Sequence, residues 1–357
     1  MRKNVSAVIF VCWYVPTIPS VHRERGFAKR NRRSEKSDGF GLGDTMEKKL
    51  LVASVLLLML LGGAGYLIGS GFVDYALYRA NPDDPTAIPE AAVAIVEPGL
   101  DAPAKPQAES ETWTITSADG LKLVATHFSP AAPGSRWVIL VHGYGRDQRF
   151  VWDYAAEYLK QGYHVLTPDL RAAGRSEGKY FTMGVRESDD IVLWAKEILR
   201  RDASAKIALH GISMGAATVM MATAKQPPQV VAAVEDCGYT SAYDMFTVQL
   251  KKLFGLPEFP VMNCVDVVSR LKTGAAISAA APYKSVPYTG MPMLFIHGDA
   301  DKLVPVGMME KLYAASAAPV KEKWIVPGAG HADAKNTAPK EYFTHVFDFL
   351  ETYMRAD

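Results

Sequence analysis

The sequence predicts an α/β domain with a mainly parallel sheet and helices on both faces, preceded by one N-terminal transmembrane helix. Two observations carry this prediction. From Trp113 onward, short apolar strands alternate with amphipathic helices, a pattern typical of a parallel sheet covered on both sides. Before that point, the run from Leu50 to Val73 carries no charged residue. It is long enough to cross a bilayer, which takes about 20 apolar residues.

The composition excludes several classes of partner. The 357 residues include 39 basic and 38 acidic side chains, so no overall field favours nucleic acid or an acidic partner. Three cysteines (Cys12, Cys237 and Cys264) form neither a disulfide framework nor a CxxC metal pattern. Pairing of Cys237 with Cys264 is left open. We expect no metal ion, no organic cofactor and no nucleic-acid partner.

The N-terminal part divides into three segments. Residues 1–45 are basic and polar, and we expect a disordered extension. Because "MEKKLLVASV" reads like the start of an exported protein, we hypothesise that Met46 is the true initiator and that residues 1–45 come from a misassigned start site. Residues 75–111 are rich in proline, alanine and acidic residues, which predicts an extended linker.

Residues 46–74 are predicted to be a signal-anchor that is not cleaved. Lys48 and Lys49 precede the apolar run, and an acid-rich stretch follows it. The positive-inside rule then places the N-terminus in the cytoplasm and the large C-terminal part outside, with the membrane contacting residues 50–73. A cleaved signal peptide is the alternative. It fits less well, because the run is long for a signal peptide and no clear A-x-A site follows it.

The elements of the domain at 112–357 follow from local patterns. "TWTITSADGLKLVATHF" alternates around a DG turn and predicts a hairpin. Short runs rich in β-branched residues predict buried strands; they are RWVILVHG, YHVLTPDL, AKIALHG, VVAAVEDCG, MPMLFIHG and EKWIVPGAGH. Amphipathic or small-residue stretches predict helices; they are VWDYAAEYLKQG, ESDDIVLWAKEILRR, GAATVMMATAK, GMMEKLYAASA and PKEYFTHVFDFLETYM.

The alternation stops at about 240–288, where two helix-like pieces with prolines between them predict an inserted cap. Several of its residues are apolar. They either pack on the domain or line an acyl-chain pocket, since ligand sites are mostly apolar; they are Met245, Phe246, Leu250, Leu253, Phe254 and Phe259.

Ser213, in "KIALHGISMGAAT", is the candidate nucleophile. A predicted strand precedes it and a small-residue helix follows it, which is the setting of a G-x-S-x-G nucleophile elbow. Gly211 and Gly215 allow backbones to crowd the turn. A serine is a weak nucleophile on its own and needs a general base.

His331, in the glycine-rich loop "PGAGH", is the candidate base. It follows a late strand and comes after both Ser213 and every plausible acid, an order that suits this architecture. Other histidines fit structural roles better. They lie in the N-terminal segment, in strands, in the last helix, or in the "HGYG" loop, where His142 is expected to shape the loop by hydrogen bonding; the rest are His22, His127, His164, His210 and His345.

The orienting acid has three candidates at the ends of late strands. Asp299 and Asp301 lie in "LFIHGDADKLVP", and Asp236 ends "VVAAVED". Spacing does not choose among them. For the oxyanion, two backbone amides are expected: one from Met214, directly after the nucleophile, and one from Tyr144 in "HGYG".

Taken together, these stretches resemble the α/β-hydrolase superfamily over about Trp113 to Met354. "EDCGYTS" and "IHGDADKLVP" are similar to a bacterial membrane-anchored branch of serine hydrolases, related to serine-aminopeptidase-like and monoacylglycerol-lipase-like proteins. The resemblance implies that Asp301 is the acid, that Asp299 is a turn residue, and that Asp236 lies in a loop near the site. One departure is Ala172 in "DLRAAGRS", where relatives often carry glycine; it bears on loop geometry.

The expected function is hydrolysis of a small-molecule acyl ester through a Ser213–His331–Asp301 triad and an acyl-enzyme. A peptidase, thioesterase or amidase with the same triad is the first alternative, since fold and triad do not select the substrate. A non-catalytic, membrane-tethered binding protein is the second.

Overall fold

The computed structural model describes residues 42–79, 81, 83–93, 102–132 and 134–354. Within these residues the strands form one eight-stranded sheet in the order β1-β2-β4-β3-β5-β6-β7-β8. The strands are β1 Ser110–Thr116, β2 Lys122–Phe128, β3 Arg136–Val141, β4 His164–Pro168, β5 Lys206–Ile212, β6 Val230–Asp236, β7 Met293–Gly298 and β8 Lys321–Val326.

The mainly parallel sheet predicted from the sequence is confirmed. β1 and β2 form the predicted antiparallel hairpin, and β2 also pairs antiparallel with β4. All further pairs are parallel. The central strands are buried along almost their whole length, which explains why they read as unbroken apolar runs.

Helices cover both faces of this sheet, again as predicted. One buried apolar cluster joins α3 and α11 to one face, and a second joins α4, α5 and α9 to the other. The helices are α1 Leu42–Leu77, α2 Glu90–Val93, α3 Trp152–Lys160, α4 Val185–Arg201, α5 Met214–Thr223, α6 Ala242–Phe254, α7 Glu258–Thr273, α8 Pro282–Ser285, α9 Gly307–Ala315, α10 Ala334–Thr337 and α11 Pro339–Met354. Short 3₁₀ turns occupy Gln148–Val151, Ile277–Ala279 and Val286–Tyr288.

The stretch predicted as a cap lies between β6 and β7 and contains α6, α7 and α8. Its apolar residues divide into two groups. Met245 and Phe246 pack against the core, and Leu250 is buried. Leu253, Phe254 and Phe259 are exposed instead.

One helix of the described residues is long and apolar enough to cross a membrane: Met46–Leu77, which contains an 18-residue stretch with a mean hydropathy of 2.3. It belongs to α1, which begins at Leu42 and continues three residues past position 74. Residues 46–60 are exposed throughout, whereas Val73 and Leu77 are buried in the core of the domain. The far end of α1 is therefore part of the globular fold.

The segment predicted as an extended linker differs from that expectation where the structure describes it. Arg79 is buried, and its guanidinium donates hydrogen bonds to the carbonyls of Gly174, Ser176 and Asp84. α2 buries two alanines, and β1 begins two residues before position 112. These hydrogen bonds hold the segment against the domain. They also satisfy the guanidinium, which would be costly to bury without partners. Residues 1–41, and with them most of the predicted basic extension, lie outside the described residues.

Candidate active site

Ser213 lies in the sharp turn between β5 and α5. Its φ is 57° and its ψ is −116°, a strained conformation for a residue other than glycine. The flanking glycines are required sterically. A Cβ on Gly211 would lie 2.2 Å from the Gly215 carbonyl oxygen, and one on Gly215 would lie 2.0 Å from the Val141 carbonyl oxygen. The turn therefore closes only with glycine on both sides, and it holds the serine at the carboxyl end of the sheet.

His331 lies next to this serine. It belongs to the loop after β8, and its Nε2 is 2.8 Å from Ser213 Oγ. Its side chain is 21% exposed, so the ring is shielded on most sides but reachable from solvent. The contact joins residues 118 positions apart in the chain.

Asp301 lies on the other side of the imidazole. Its Oδ2 is 2.7 Å from His331 Nδ1, and its Oδ1 accepts hydrogen bonds of 2.8 Å from the amides of Leu303 and Val304. These two amides fix the carboxylate so that its second oxygen faces the histidine. The side chain is fully buried.

The other two candidate acids are engaged elsewhere. Asp299 accepts a hydrogen bond of 2.7 Å from the amide of Gly328. Asp236 is buried and accepts a hydrogen bond of 2.8 Å from the hydroxyl of Tyr342. Only Asp301, of the three, lies within hydrogen-bonding distance of His331 in the part of the chain that the structure describes.

The electrostatics keep Asp301 ionised. Burial alone raises the pKa of a carboxyl, but hydrogen bonds from His297 and His331 and the charge of His331 outweigh it, so the pKa of Asp301 is well below its usual range. Asp236 shows the opposite balance, because burial raises its pKa to about 6.

His297 is a residue of the site that sequence reasoning overlooked. It is fully buried, four residues before Asp301; its Nε2 is 2.8 Å from the Val304 carbonyl oxygen and 3.3 Å from Asp301 Oδ2. Burial lowers its pKa, but the hydrogen bonds to Asp301 and to the Val304 carbonyl, together with the neighbouring carboxyl groups, raise it above the ordinary value on balance. The signal that could have revealed it is its position in "FIHGDAD", on the strand that ends at the acid.

The backbone amide of Met214 and the loop after β3 lie beside the serine. Met214 is the first residue of α5, so its N–H is one of the amides that a helix leaves without an internal partner. The loop after β3 approaches closely, since a Cβ on Gly143 would lie 3.5 Å from Ser213 Cβ. Within the described residues, the amide of Tyr144 in this loop donates to no backbone acceptor.

The side chain of Tyr144 joins this loop to the apolar helix. Its hydroxyl donates a hydrogen bond to the carbonyl of Ala76 in α1, and its ring packs edge-on against Phe181. Burial raises the pKa of the phenol, so it stays a donor. Sequence reasoning missed this contact, because no local pattern indicates it.

The histidines assigned structural roles make structural contacts where they are described. His142 Nδ1 lies 2.9 Å from the Gly143 carbonyl oxygen and its Nε2 accepts from the Leu170 amide, so the ring shapes the loop. His210 lies between the hydroxyls of Tyr158 and Tyr342, and burial lowers its pKa to about 3. Ala172, at the departure from the family pattern, has a φ of 59°.

Other features of the site concern ligands. Among the described residues, no group of three or more His, Cys, Asp or Glu side chains is placed to hold a metal ion. Cys237 and Cys264 are not joined in a disulfide. A cavity of about 170 Å³ lies beside the loop of Tyr144, lined by apolar side chains such as Phe150 and Phe181 and by the charged Asp147 and Arg149.

Comparisons with known proteins agree with this fold. The X-Pro dipeptidyl-peptidase (S15) family profile matches residues 119–281. An uncharacterized protein of Bacillus subtilis, YqkD, is 27% identical over 248 residues, which make up 69% of this chain and 80% of that protein. WAV2 of Arabidopsis thaliana, an α/β hydrolase domain-containing protein, is 29% identical over 198 residues, which make up 53% of this chain and 61% of WAV2.

A solved structure shows the same architecture. The Pyrococcus furiosus esterase Pf2001 superposes with a TM-score of 0.58 at 24% identity, and the match covers 70% of this chain and 92% of the esterase. The sheet order, the S15 profile match and these relatives together show that the chain belongs to the α/β-hydrolase superfamily and is a hydrolase.

Proposed function

We propose that this protein is a membrane-anchored serine hydrolase that cleaves carboxylic esters through an acyl-enzyme intermediate. One observation carries the proposal: Ser213 Oγ, His331 and Asp301 form a hydrogen-bonded chain of 2.8 and 2.7 Å, with the serine on a strained elbow. A nucleophile bonded to a base that a buried carboxylate orients is the arrangement that activates a serine.

The first half-reaction forms the acyl-enzyme. His331 Nε2 accepts the proton of Ser213 Oγ as the oxygen attacks the carbonyl carbon of the ester. The amides of Tyr144 and Met214 donate to the oxyanion, and the N-terminus of α5 adds favourable potential. Loss of one such donor typically costs about 2.7–4 kcal/mol of transition-state stabilisation. His331 then gives its proton to the departing alcohol oxygen.

The second half-reaction releases the acid. Water attacks the acyl carbonyl while His331 Nε2 takes its proton, and the proton returns to Ser213 Oγ as the carbon–oxygen bond to the serine breaks. Asp301 remains ionised in both steps because its pKa is so low, and it holds the proton of the imidazole on Nδ1.

Ester cleavage is the first choice of reaction, and peptide cleavage is the second. Structural similarity to an esterase supports the first, and the match to a family of X-Pro dipeptidyl-peptidases supports the second. Thioesterase and amidase activity use the same triad. A non-catalytic tethered binding protein fits least well, since binding alone does not need an ordered Ser–His–Asp chain.

Membrane anchoring rests on α1. Its first part is apolar and exposed, and Lys48 and Lys49 at its start favour a cytoplasmic N-terminus and an extracytoplasmic catalytic domain. Burial of Val73 and Leu77 in the core supports an anchor that is retained, because a signal peptide that is removed contributes nothing to the mature core. Alkaline carbonate extraction of membranes tests this: we expect the full-length chain to stay in the pellet, and its release would contradict anchoring.

The activity test uses the full chain in detergent with a panel of p-nitrophenyl esters of increasing acyl length, a thioester and an X-Pro p-nitroanilide. We expect ester hydrolysis that Ser213→Ala nearly abolishes while the melting temperature stays close to that of the parent. If Ser213→Ala retained full ester hydrolysis, the assignment of the nucleophile would be wrong. Preference for the X-Pro anilide would instead favour the peptidase.

A further inference from the structure

The apolar helix α1 runs side by side with the cap helix α7. Gly65 faces the Cys264 sulfur, and a Cβ on Gly69 would lie only 2.6 Å from the Cys264 carbonyl oxygen. Further along both helices, the ammonium of Lys272 is 2.6 Å from Asp74 Oδ2. Since residue numbers rise together along the two helices, α1 and α7 are parallel, and the residues before Cys264 lie further towards the start of α1.

The part of α1 that projects away from the domain is too short to cross a bilayer by itself. Counting from Leu50, the first residue after the two lysines, only the 11 residues to Leu60 are exposed without interruption. At 1.5 Å per residue they span about 16 Å, roughly half of the ~30 Å of hydrocarbon that a span must cross. Twenty residues from Leu50 end at Gly69. The outer part of the span is therefore the part that contacts α7.

The cap segment that joins the end of α6 to the start of α7 is exposed and apolar. We call Leu253–Val261 (LFGLPEFPV) the cap tip. Leu253 and Phe254 are 47% exposed and Phe259 is 49% exposed. Phe254 also packs edge-on against Phe72 and Tyr75, which places this end of the tip beside α1, three to six residues beyond Gly69. Apolar side chains grouped on a surface in this way mark an interaction site.

The charges around the cap tip suit a lipid surface. Lys251 and Lys252 are exposed in the last turn of α6, directly before the tip in the sequence. Their ammonium groups can form ion pairs with lipid phosphates there. Glu258 is the one acid within the tip sequence, and it interacts with Tyr243 of the cap.

We propose that the cap tip is embedded in the outer leaflet beside α1, and that the active site takes its substrate, a membrane-resident acyl ester, from that leaflet. This inference rests on the proposed function and names its class of substrate. A bilayer is the expected partner of the cap tip because the tip adjoins α1. Any membrane that surrounds α1 as far as Gly69 also reaches the start of α7.

The position of the site fits such a substrate. Tyr144 follows Gly143, at which a Cβ would lie 3.5 Å from Ser213 Cβ, and its hydroxyl donates to the Ala76 carbonyl. Ala76 is seven residues beyond Gly69, about 10 Å along the helix axis. The ester bonds of membrane lipids lie at the boundary between the hydrocarbon and the headgroups. A lipid therefore has to move only partly out of the bilayer for its ester bond to reach Ser213.

The first test locates the tip in the full-length chain reconstituted into phosphatidylcholine vesicles. Phe259→Cys carries a thiol-reactive fluorophore, and Tyr288→Cys is the matched control. Tyr288 is 69% exposed and lies next to Thr289, which contacts the end of α5, far from the site. Labelling of the unsubstituted chain measures the background from the native cysteines.

We expect lipids with a nitroxide high on the acyl chain to quench the probe at position 259 and iodide in the water to leave it unquenched, with the reverse at position 288. Equal quenching by iodide at both positions overturns the embedding. Protection of position 259 from both quenchers also overturns it, because the tip would then be covered by protein, such as a second copy of the chain.

The second test separates the two substrates. Leu253→Glu combined with Phe259→Glu should lower hydrolysis of a fluorogenic long-chain ester dissolved in the vesicles about tenfold, because a carboxylate is costly within the bilayer. Hydrolysis of a water-soluble short-chain ester should stay close to that of the parent, as should both activities of Tyr288→Glu.

An equal rate on the vesicle ester in the double variant and the parent overturns the substrate assignment while leaving the serine hydrolase intact. If the parent hydrolyses neither ester, or if Ser213→Ala retains both activities, the proposed function fails instead. The quenching measurement still decides whether the tip is embedded.

Discussion

Asp301→Asn tests the geometry of the proposed triad most sharply, because the two side chains have the same shape. In the parent, Oδ1 accepts from the amides of Leu303 and Val304, and Oδ2 accepts from His331 Nδ1. The single carbonyl oxygen of asparagine is held by the two amides. Its NH₂ group must then take the place of Oδ2 and point a donor at His331.

The magnitude follows from the tautomer. A donor facing Nδ1 favours the imidazole that carries its proton on Nε2, which then donates to Ser213 Oγ and is unable to accept the serine proton. The same exchange in another Ser–His–Asp site lowers kcat by about 10⁴, which corresponds to about 5.4 kcal/mol at 1.36 kcal/mol per factor of ten. We expect a loss of about 10³–10⁴ here. The free energy of unfolding should change by no more than about 2 kcal/mol, since both amides keep an acceptor.

The assay measures kcat and KM on the best p-nitrophenyl ester, with the melting temperature as a check on folding. Asp299→Asn and Asp236→Asn are matched controls, because both acids were candidates on sequence grounds. Their partners, the Gly328 amide and the Tyr342 hydroxyl, are donors that an asparagine oxygen still satisfies. We expect both controls to keep kcat within about fivefold of the parent, since neither touches the imidazole. A kcat for Asp301→Asn within tenfold of the parent, or an equal loss in Asp236→Asn, would refute the reasoning.

Two further predictions concern stability, and thermal unfolding in detergent measures both. Gly215→Ala should destabilise the domain by about 3 kcal/mol or more, because its Cβ would lie 2.0 Å from the Val141 carbonyl oxygen. A Cβ on Gly290 would meet only Gln226 Nε2, at an ordinary contact distance of 3.9 Å, so Gly290→Ala should be near neutral. Equal melting temperatures for the two variants would contradict the steric account. Burial raises the pKa of Glu235 from 4.5 to about 8, so the folded state keeps a proton that the unfolded state releases between these pH values. The contribution of this group to the free energy of unfolding is therefore lost as the pH rises from about 4.5 to about 8. Glu235→Gln should therefore gain stability relative to the parent from pH 5 to pH 8, and a constant difference across that range would show that Glu235 does not titrate there.

The parts of the fold that could be predicted are those with local physical causes. Strands buried on both faces have to be continuous apolar runs, which is why β3, β5 and β7 are readable in the sequence. The elbow is readable because its steric demand falls on Gly211 and Gly215, two residues either side of the serine. Chain order and a glycine-rich loop single out His331 as the base.

The choice of acid could not be made from spacing. Asp236, Asp299 and Asp301 all follow strands whose carboxyl ends meet at the same edge of the sheet. What separates them is which amides hold each carboxylate, and the path of the loop decides that. The resemblance to a family selected Asp301, and the hydrogen bonds of the loop supply the physical reason: the amides of Leu303 and Val304 turn Oδ2 towards the imidazole.

The docking of α1 could not be predicted either. A charge-free apolar run indicates a membrane span and carries no sign that its far end belongs to a core. The contacts that hold it join distant positions: Asp74 and Lys272 are 198 residues apart, and Tyr144 reaches Ala76 across 68. The composition of the segment after α1 predicts a linker for the same reason, because the carbonyl partners of Arg79 at Gly174 and Ser176 are distant in the sequence.

The most direct test of the central claim is covalent labelling of the full chain with a fluorophosphonate, followed by peptide mass spectrometry. The account predicts a single adduct on Ser213, no adduct in Ser213→Ala, and much slower labelling in Asp301→Asn, since the oriented histidine is what makes this serine a nucleophile. An unlabelled chain, or an adduct on another residue that persists in Ser213→Ala, would contradict it.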